Sequence, residues 1–356
     1  MAAVQDRRSY RTLDGMRAVG AFLVVMRHVP VFFGPIRVPE SFLAVDLFYL
    51  VSGFVVAHAY GERLRSGASL WTFMKTRIIR LYPLYLFGLG LGLIGALIAV
   101  ITDPHGWWQP YKVVEAVLTG LVLIPMFPGL GASGSALDGP TWTLLPELVV
   151  NFLYAAFVKL MNVWVLLLIM LVAGAAVVYG QLSAGTLDIG YNPTDQWAAI
   201  ARAGYSFFAG VLVFKLVGTG ETPSALVSWG SVALVGLILA CRPGDDIVSQ
   251  YELGAVLVAF PLLLAVGARF EPGPLTSKVF SYIGLMSYGI YIIHQPIGHL
   301  LEPHLKGVFA VPHDWRALPY GAAFLAALVG IAGLLDKVYD GPIRAVLRRR
   351  FLTKVA

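Results

Sequence analysis

The sequence predicts an all-α integral membrane protein with about ten transmembrane helices in a single domain, residues 1–356. Of these residues 58% are hydrophobic and only 13% are charged, whereas soluble domains have roughly 25% charged residues. The mean hydropathy is +0.76. Uncharged runs such as 84–101 approach the roughly 20 apolar residues that a helix needs to cross a bilayer. These three observations favour a multi-pass protein of the cell (inner) membrane.

Eleven hydrophobic windows run along the chain. They lie near 14–34, 41–60, 79–101, 112–128, 141–160, 163–181, 199–217, 224–241, 252–268, 279–301 and 316–340. Basic residues mark the cytoplasmic loops of membrane proteins. The N-terminus carries Arg7, Arg8 and Arg11, and the C-terminus carries Arg344, Arg348, Arg349, Arg350 and Lys354. Both termini are therefore expected in the cytoplasm, which requires an even number of spans.

The weakest of the windows is 112–128, which contains Lys112 and Glu115 and has the minimum length for a span. We expect it to be re-entrant or to lie at the outer interface. The bases then concentrate in the inner loops, while the outer loops carry only Arg37, Lys112, Arg242, Lys306 and Arg316. Ten spans with both ends inside follow.

Other features exclude some classes of site. The single cysteine, Cys241, rules out an internal disulfide and a cysteine-based metal cluster, and no metal site is expected. The net charge of +6 arises from bases at span ends, so it indicates topology and not a nucleic-acid partner. The first apolar run contains Arg27, His28 and Pro30 without a small-residue cleavage pattern, so it is not a cleaved signal peptide.

Five ionisable residues fall inside five spans. The topology places all of them in the outer half of the membrane: His28, Asp46, Glu147, Arg202 and His294. Such residues are costly in lipid, usually face the interior of the bundle and mark functional sites.

Arg17 and His28 are eleven residues apart, about three helical turns or 16 Å. They should therefore share one face of the first span and line a polar path between the two sides.

Structural roles stay open for each of these residues. His28 and Asp46 would also make a hydrogen-bonded pair that ties two spans together, and Arg202 would pair with a carboxylate. Glu147 follows Thr141 and Thr143 at a helix start, so it would only cap the helix or bond a neighbour. His294 follows Ser287 and Tyr291 at helical spacing, so it would belong to a polar stripe with a purely structural role. A basic group such as Lys75, Arg77 and Arg80 is typical of any inner loop.

Five short motifs occur in order along nearly the whole chain. They are LDGMRA at 13–18 with His28 eleven residues after Arg17, VDLFYLVSGF at 45–54, RIIRLYP at 77–83, WTLLPE at 142–147 and SYGIYIIHQP at 287–296. Together they resemble the acyltransferase family 3 membrane proteins, which O-acylate glycans and related acceptors and are similar in having ten spans. Thr143 stands where the family has serine, and Asp340-Gly341-Pro342 replaces the family's closing Glu-Arg-Pro. The extracytoplasmic esterase-like domain that many relatives carry has no counterpart in this sequence.

The resemblance implies transfer from cytoplasmic acyl-CoA, with acetyl-CoA as the expected donor. Lys75, Arg77 and Arg80 would bind its phosphates, because guanidinium groups suit phosphate oxygens. His28 would be the general base, and Asp46 would orient it, with Glu147 also in the catalytic set. Arg17, Arg202 or His294 would stabilise the oxyanion, and Trp142 and Tyr291 would contact substrate. The acceptor would be a hydroxyl of a glycan, an exopolysaccharide or a lipid-linked sugar at the outer side, reached without a covalent enzyme intermediate.

A transporter or flippase for a polar or lipid-linked sugar is the alternative, since intramembrane His, Asp, Glu and Arg also form proton relays. The paired half-repeats common in transporters are not visible in the sequence. A structural scaffold would explain neither the converging charges nor the motif series. Binding and slow hydrolysis of acetyl-CoA would distinguish an acyltransferase from both.

Overall fold

The computed structural model describes residues 8–126, 135–217, 221–305 and 314–352. Within these ranges the chain is almost entirely helical. The helices are α1 (Arg11–His28), α2 (Ala44–Arg65), α3 (Leu70–Thr102), α4 (Pro110–Leu121), α5 (Leu144–Phe157), α6 (Val163–Ala184), α7 (Gln196–Val217), α8 (Ala225–Ala240), α9 (Val248–Gly254), α10 (Phe260–Arg269), α11 (Pro274–Leu305), α12 (Leu318–Leu335) and α13 (Gly341–Leu352). Two π-helical turns, Ala255–Ala259 and Asp336–Asp340, join α9 to α10 and α12 to α13. The predicted all-α fold is confirmed.

Several helices begin at residues that satisfy free backbone N–H groups. The Ser69 side chain accepts from the N–H of Thr72 before α3, and Asn162 accepts from the N–H of Val165 before α6. Such caps stabilise a helix start by about 1 kcal/mol. Gly185 ends α6 with φ +75°, a left-handed conformation that glycine adopts without a steric penalty.

Six helical segments of the described residues are long and apolar enough to cross a membrane. They are Pro39–Arg65, Leu70–Thr102, Val163–Ala184, Gln196–Val217, Val248–Arg269 and Trp315–Leu352. The chain is thus a multi-pass membrane protein. Helices α1 and α11, with 18 and 32 residues, are about 27 and 48 Å long but carry more polar groups. The count of ten spans and the cytoplasmic ends stay predictions, and Arg7, Lys306 and Lys354 lie outside the described residues.

The predicted interfacial window forms the short helix α4, followed by a turn. Its 12 residues reach about 18 Å, well short of the roughly 30 Å hydrocarbon core. The part of this window at 127–128 lies outside the described residues. Its re-entrant or interfacial position stays a prediction.

Two close helix pairs form the centre of the molecule, and glycines allow both. A Cβ at Gly53 of α2 would lie 1.9 Å from the carbonyl oxygen of Phe207 in α7, and one at Gly210 would lie 2.0 Å from that of Leu50. Likewise, a Cβ at Gly284 of α11 would lie 2.5 Å from the Asp14 side chain of α1. These contacts bring the polar faces of α1, α2, α7 and α11 together.

The only strands in the described residues are β1 (Thr222–Pro223) and β2 (Phe270–Glu271), which pair in parallel. They fix the start of α1, because Glu271 accepts from the backbone N–H of Arg11 and the hydroxyl of Thr12 donates to the carbonyl of Phe270. Arg8 donates to the carbonyl of Ala268, so the segment before α1 is tied to the end of α10.

Candidate active site: two chambers that meet at Tyr291

The first of two cavities is lined by three arginines, and we call it the arginine chamber. It encloses about 160 Å³ between α1, α2, α3, α5 and α11. Its polar lining consists of Arg17, Tyr49, Ser52, Arg77, Arg80, Thr143, Glu147, Ser287, Tyr288 and Tyr291. The predicted phosphate-binding residues Arg77 and Arg80 therefore share a cavity with Arg17. Lys75 is exposed outside this lining.

Arg77 is committed to a buried ion pair. Its guanidinium donates to Glu147 at 2.7 Å, and the same carboxylate oxygen accepts from Ser52 at 2.5 Å and from Asn151 at 3.0 Å. Arg17 donates to the carbonyl of Gly284 at 2.5 Å and lies 3.3 Å from Asp14. Arg80 projects from the same face of α3 as Arg77 and lines the cavity without an ion-pair partner among the described residues.

The Arg77–Glu147 pair corrects a prediction. The sequence placed Arg77 at an inner span end and Glu147 in the outer half, yet the two side chains are in contact. At least one of the two depths is therefore wrong. The preceding 3₁₀ turn Gly139–Thr143 is largely buried, so the chain enters the protein before the helix starts. Depth counted from the start of a hydrophobic window is therefore an unreliable guide to which of these residues meet.

The second cavity contains His28, and we call it the histidine chamber. It encloses about 300 Å³. It is lined by Val24, Arg27, His28, Phe42, Val45, Ser135, Gly139, Pro140, Trp142, Asp188, Tyr191, Arg202, Tyr291 and Gln295. Arg17 and His28 thus belong to different chambers, and both contact α11, which confirms that they share a face of α1.

The two histidines form a pair whose hydrogen positions follow from their partners. Nδ1 of His28 lies 3.0 Å from Nε2 of His294, and Nδ1 of His294 lies 2.8 Å from the carbonyl oxygen of Tyr291. A carbonyl oxygen only accepts, so Nδ1 of His294 carries a hydrogen. In the neutral imidazole Nε2 is then an acceptor and receives the Nδ1 hydrogen of His28. Nε2 of His28 keeps its lone pair.

Asp46 does not contact His28, contrary to the predicted pairing. Its carboxylate accepts from Nε and Nη2 of Arg202, at 3.2 Å and 2.5 Å. Both side chains are only 1% exposed, and a guanidinium buried this deeply requires a carboxylate partner. Arg202 also donates to the carbonyls of Phe42 and Ile189, so four of its five N–H hydrogens are engaged. It joins α2 to the loop before α7.

Tyr291 is the residue at which the chambers meet. It lines both cavities, together with Val45. Its hydroxyl donates to the carbonyl of Pro140 at 2.8 Å and lies 3.1 Å from the Thr143 hydroxyl. The aromatic ring therefore has a fixed position between the arginine chamber and the histidine chamber.

Comparison with known proteins identifies the family. A family model described as an acyltransferase domain matches residues 10–336. The chain belongs to acyltransferase family 3. The motifs typical of this acyltransferase family supply both chambers: Arg17 and His28 from α1, Ser52 from α2, Arg77 and Arg80 from α3, and Tyr291 from α11.

Three relatives of this acyltransferase differ in how much of the chain they cover. Protein 2 in the picA locus of Rhizobium radiobacter is 43% identical over 40% of this chain and 79% of its own length. Peptidoglycan O-acetyltransferase OatA of Listeria monocytogenes is 24% identical over 95% of this chain. Acyltransferase MdmB of Streptomyces mycarofaciens is 25% identical over 95% of this chain and 92% of its own length. The chain spans about half the length of OatA, 56%. No solved structure matches.

Most residues that line the histidine chamber were not predicted as site residues, among them Arg27, Asp188, Tyr191 and Gln295. Arg27 and Gln295 each adjoin a predicted histidine in sequence, which was an available signal. Asp188 and Tyr191 lie in the irregular loop between α6 and α7, where no periodicity indicates which way a side chain points.

Proposed function

We propose that this acyltransferase is a membrane-embedded O-acetyltransferase of the cell (inner) membrane. It moves the acetyl group of cytoplasmic acetyl-CoA to a hydroxyl of a glycan, an exopolysaccharide or a lipid-linked sugar on the outer side. The observation that carries this proposal is that two chambers meet at Tyr291, one lined by arginines and the other by His28. The name of the relative OatA adds support for O-acetyl transfer.

The donor occupies the arginine chamber. Arg80 lines this cavity and has no ion-pair partner among the described residues, so it contacts the phosphates of CoA. Arg17 lies opposite on α1 and adds positive charge, whereas Arg77 is largely neutralised by Glu147. The thin pantetheine arm passes Tyr291 and brings the thioester to His28. Lys75 has no part in this site, because it lies outside the lining.

His28 acts as the general base in the histidine chamber. Its Nε2 lone pair takes the proton of the acceptor hydroxyl while the oxygen attacks the thioester carbonyl carbon. The C–S bond breaks when the tetrahedral intermediate collapses. The CoA thiolate leaves and receives the proton from His28, so atoms and charges balance without a covalent enzyme intermediate. His294 orients the base, which is the role first expected of Asp46.

The three residues first considered for the oxyanion are poorly suited to that role. Arg202 is paired with Asp46 and has four of its five N–H hydrogens engaged, His294 presents an acceptor nitrogen, and Arg17 lies in the other chamber. Trp142 and Gln295 line the histidine chamber. Among the described residues, neither side chain donates a hydrogen bond. The indole N–H and the amide N–H are therefore the candidate oxyanion donors.

The test is turnover of His28→Ala counted per CoA-binding molecule. Donor binding should persist, while acetyl transfer and acetyl-CoA hydrolysis should fall by about 10²–10⁴-fold, the usual contribution of a positioned base. His105→Ala is the matched control, because His105 is an exposed loop residue. Near wild-type turnover of His28→Ala would exclude this mechanism. A wild-type protein that neither binds nor hydrolyses acetyl-CoA would instead favour the transporter alternative.

A further inference from the structure

We infer that the histidine chamber accepts a single uncharged sugar ring, and that Arg27 and Asp188 determine this preference for a neutral acceptor. The inference rests on the proposed function, since it assumes that acceptor hydroxyls reach His28. It adds a class of acceptor and two selecting residues, neither of which belongs to the motifs of the sequence.

The charges around the chamber cancel in pairs. Arg27 donates to Asp188 at 2.5 Å, and Arg202 donates to Asp46 at 2.5 Å. These are all the arginine, lysine and acidic side chains that line the chamber among the described residues, with Asp46 directly behind Arg202. A phosphate or carboxylate on the acceptor would enter without a free cation to balance it, and a buried unpaired charge is strongly disfavoured.

The remaining lining suits a sugar ring. Trp142, Tyr191, Phe42 and Tyr291 contribute aromatic surface, which packs against the C–H face of a ring. Gln295 also lines the chamber and adds a side-chain amide, a group that can bond a sugar hydroxyl. A mainly apolar pocket with a few fixed polar groups is typical of small-ligand sites. The volume of about 300 Å³ is sufficient for one sugar ring.

The loop that carries Asp188 is held in place by hydrogen bonds to Glu252 and Arg202. Glu252 of α9 accepts from the backbone N–H of Leu187 at 2.6 Å and from the Gln181 amide at 2.9 Å. The carbonyl of Ile189 accepts from Arg202 at 2.9 Å. Asp188 is therefore fixed between two anchored neighbours and pairs with Arg27 without having to be ordered by the ligand, which favours selectivity.

Neutralising each charge of the pair in turn tests the assignment. The purified protein in nanodiscs is given acetyl-CoA and three acceptors, methyl glucoside, methyl glucuronide and methyl glucosaminide, which are neutral, anionic and cationic. The wild type should acetylate the glucoside at least tenfold faster than either charged sugar. Asp188→Asn leaves Arg27 unpaired and should raise the glucuronide-to-glucoside ratio of kcat/KM by roughly tenfold. Arg27→Gln leaves Asp188 unpaired and should raise the glucosaminide ratio by a similar factor.

The control is Asp195→Asn, which removes an acidic residue of the same loop that bonds Asn192 and does not line the chamber. It should leave all three ratios unchanged. Ratios are compared only among molecules that bind CoA, so misfolded protein does not contribute. The inference is overturned if the wild type acetylates the charged sugars as fast as the glucoside, if it acetylates none of the three, or if the two variants fail to shift in opposite directions. Absence of acetyl-CoA hydrolysis by the wild type would instead count against the proposed function.

Discussion

His28 and His294 form a direct ring-to-ring hydrogen bond, with 3.0 Å between Nδ1 and Nε2. The second nitrogen of His294 faces two backbone carbonyls, those of Ile290 and Tyr291. This chain of partners assigns both tautomers in the neutral pair. His294 therefore acts by positioning His28. It accepts the Nδ1 hydrogen of the base, which turns the Nε2 lone pair toward the chamber.

The first prediction tests this positioning role. His294→Leu removes the acceptor for Nδ1–H, so kcat should fall by about 10²-fold, a share of what a positioned base contributes. His294→Gln provides a carbonyl oxygen at the end of the side chain and should restore a substantial part of the loss. CoA affinity should stay constant in both variants, because His294 does not line the arginine chamber.

A purely structural role predicts another result. Both variants would then lose folded, CoA-binding protein in proportion to activity, and kcat per CoA-binding molecule would not change. The pH dependence of kcat separates the two cases further, since only loss of the His28 partner should displace the acidic limb of the profile, where the base becomes protonated.

The second prediction concerns the Asp46–Arg202 pair. Asp46→Asn or Arg202→Met alone leaves a buried, uncompensated group and should destabilise the protein by about 3–5 kcal/mol. The double variant Asp46→Leu with Arg202→Met removes both charges and should recover most of the loss in thermal unfolding. If Asp46→Asn instead retains stability and loses turnover alone, then Asp46 has a direct role in catalysis.

The sequence predicts the helices well and their contacts less well. The hydrophobic windows correspond to the observed helices because span length follows from bilayer thickness. Arg17 and His28 contact the same neighbouring helix because helical periodicity fixes which residues share a face. Partners across helices depend on rotation and register, which periodicity within one helix does not determine. Asp46 was therefore assigned to the wrong basic residue.

Irregular segments limit the prediction further. Glu147 was placed by counting from the start of its window, yet the buried turn Gly139–Thr143 begins that window inside the protein. Asp188 had no signal beyond its place in an outer loop. Its pairing with Arg27, 161 residues away in sequence, is a tertiary contact that a local pattern does not encode.

The third prediction compares the contributions of two basic residues, Arg80 and Lys75, to CoA binding. Arg80→Ala should weaken CoA binding by about tenfold or more, because a charge-assisted bond to phosphate is worth roughly 1.5–3 kcal/mol. Lys75→Ala is the matched control, with an exposed cation of the same helix outside the chamber, and its affinity should stay at the wild-type value. Calorimetric titration with CoA measures both. Equal losses in the two variants would show that general basicity of this helix end, and not the chamber, binds the donor.

The fourth prediction is a pH dependence of stability. Glu271 is nearly buried in the turn between α10 and α11, and burial raises its pKa to about 7, although the backbone N–H of Arg11 and the charge of Arg8 lower it. The unfolded pKa is about 4.3, so between these values the folded state holds a proton that the unfolded state has lost. The free energy of unfolding should therefore decrease as pH rises from about 4.5 to 7.

Thermal unfolding between pH 5 and pH 8 measures this effect. The unfolding temperature of the wild type should fall across the range, and Glu271→Gln should flatten the profile, because the neutral amide does not titrate. Glu221→Gln is the control, since Glu221 is an exposed carboxylate near the same arginine. An equally steep profile in Glu271→Gln would assign the effect to another group.

The last prediction concerns topology, for which contacts between distant segments supply an argument. Arg242 bonds to Glu40 at 3.1 Å, which joins two loops that the distribution of bases places outside. Arg8 donates to the carbonyl of Ala268 at 2.7 Å, which joins two segments that it places inside. Each pair should lie on one side of the membrane, which requires an even number of spans between Glu40 and Arg242 and between Arg8 and Ala268. On a Cys241→Ser background, single cysteines at Ser135 and Ser183 should therefore react with an impermeant maleimide from outside. A cysteine at Ser66, which is exposed after α2, should react only after the membrane is opened. Labelling of Ser135 solely from inside would show that the 112–128 segment crosses the membrane, and the ten-span arrangement would be wrong.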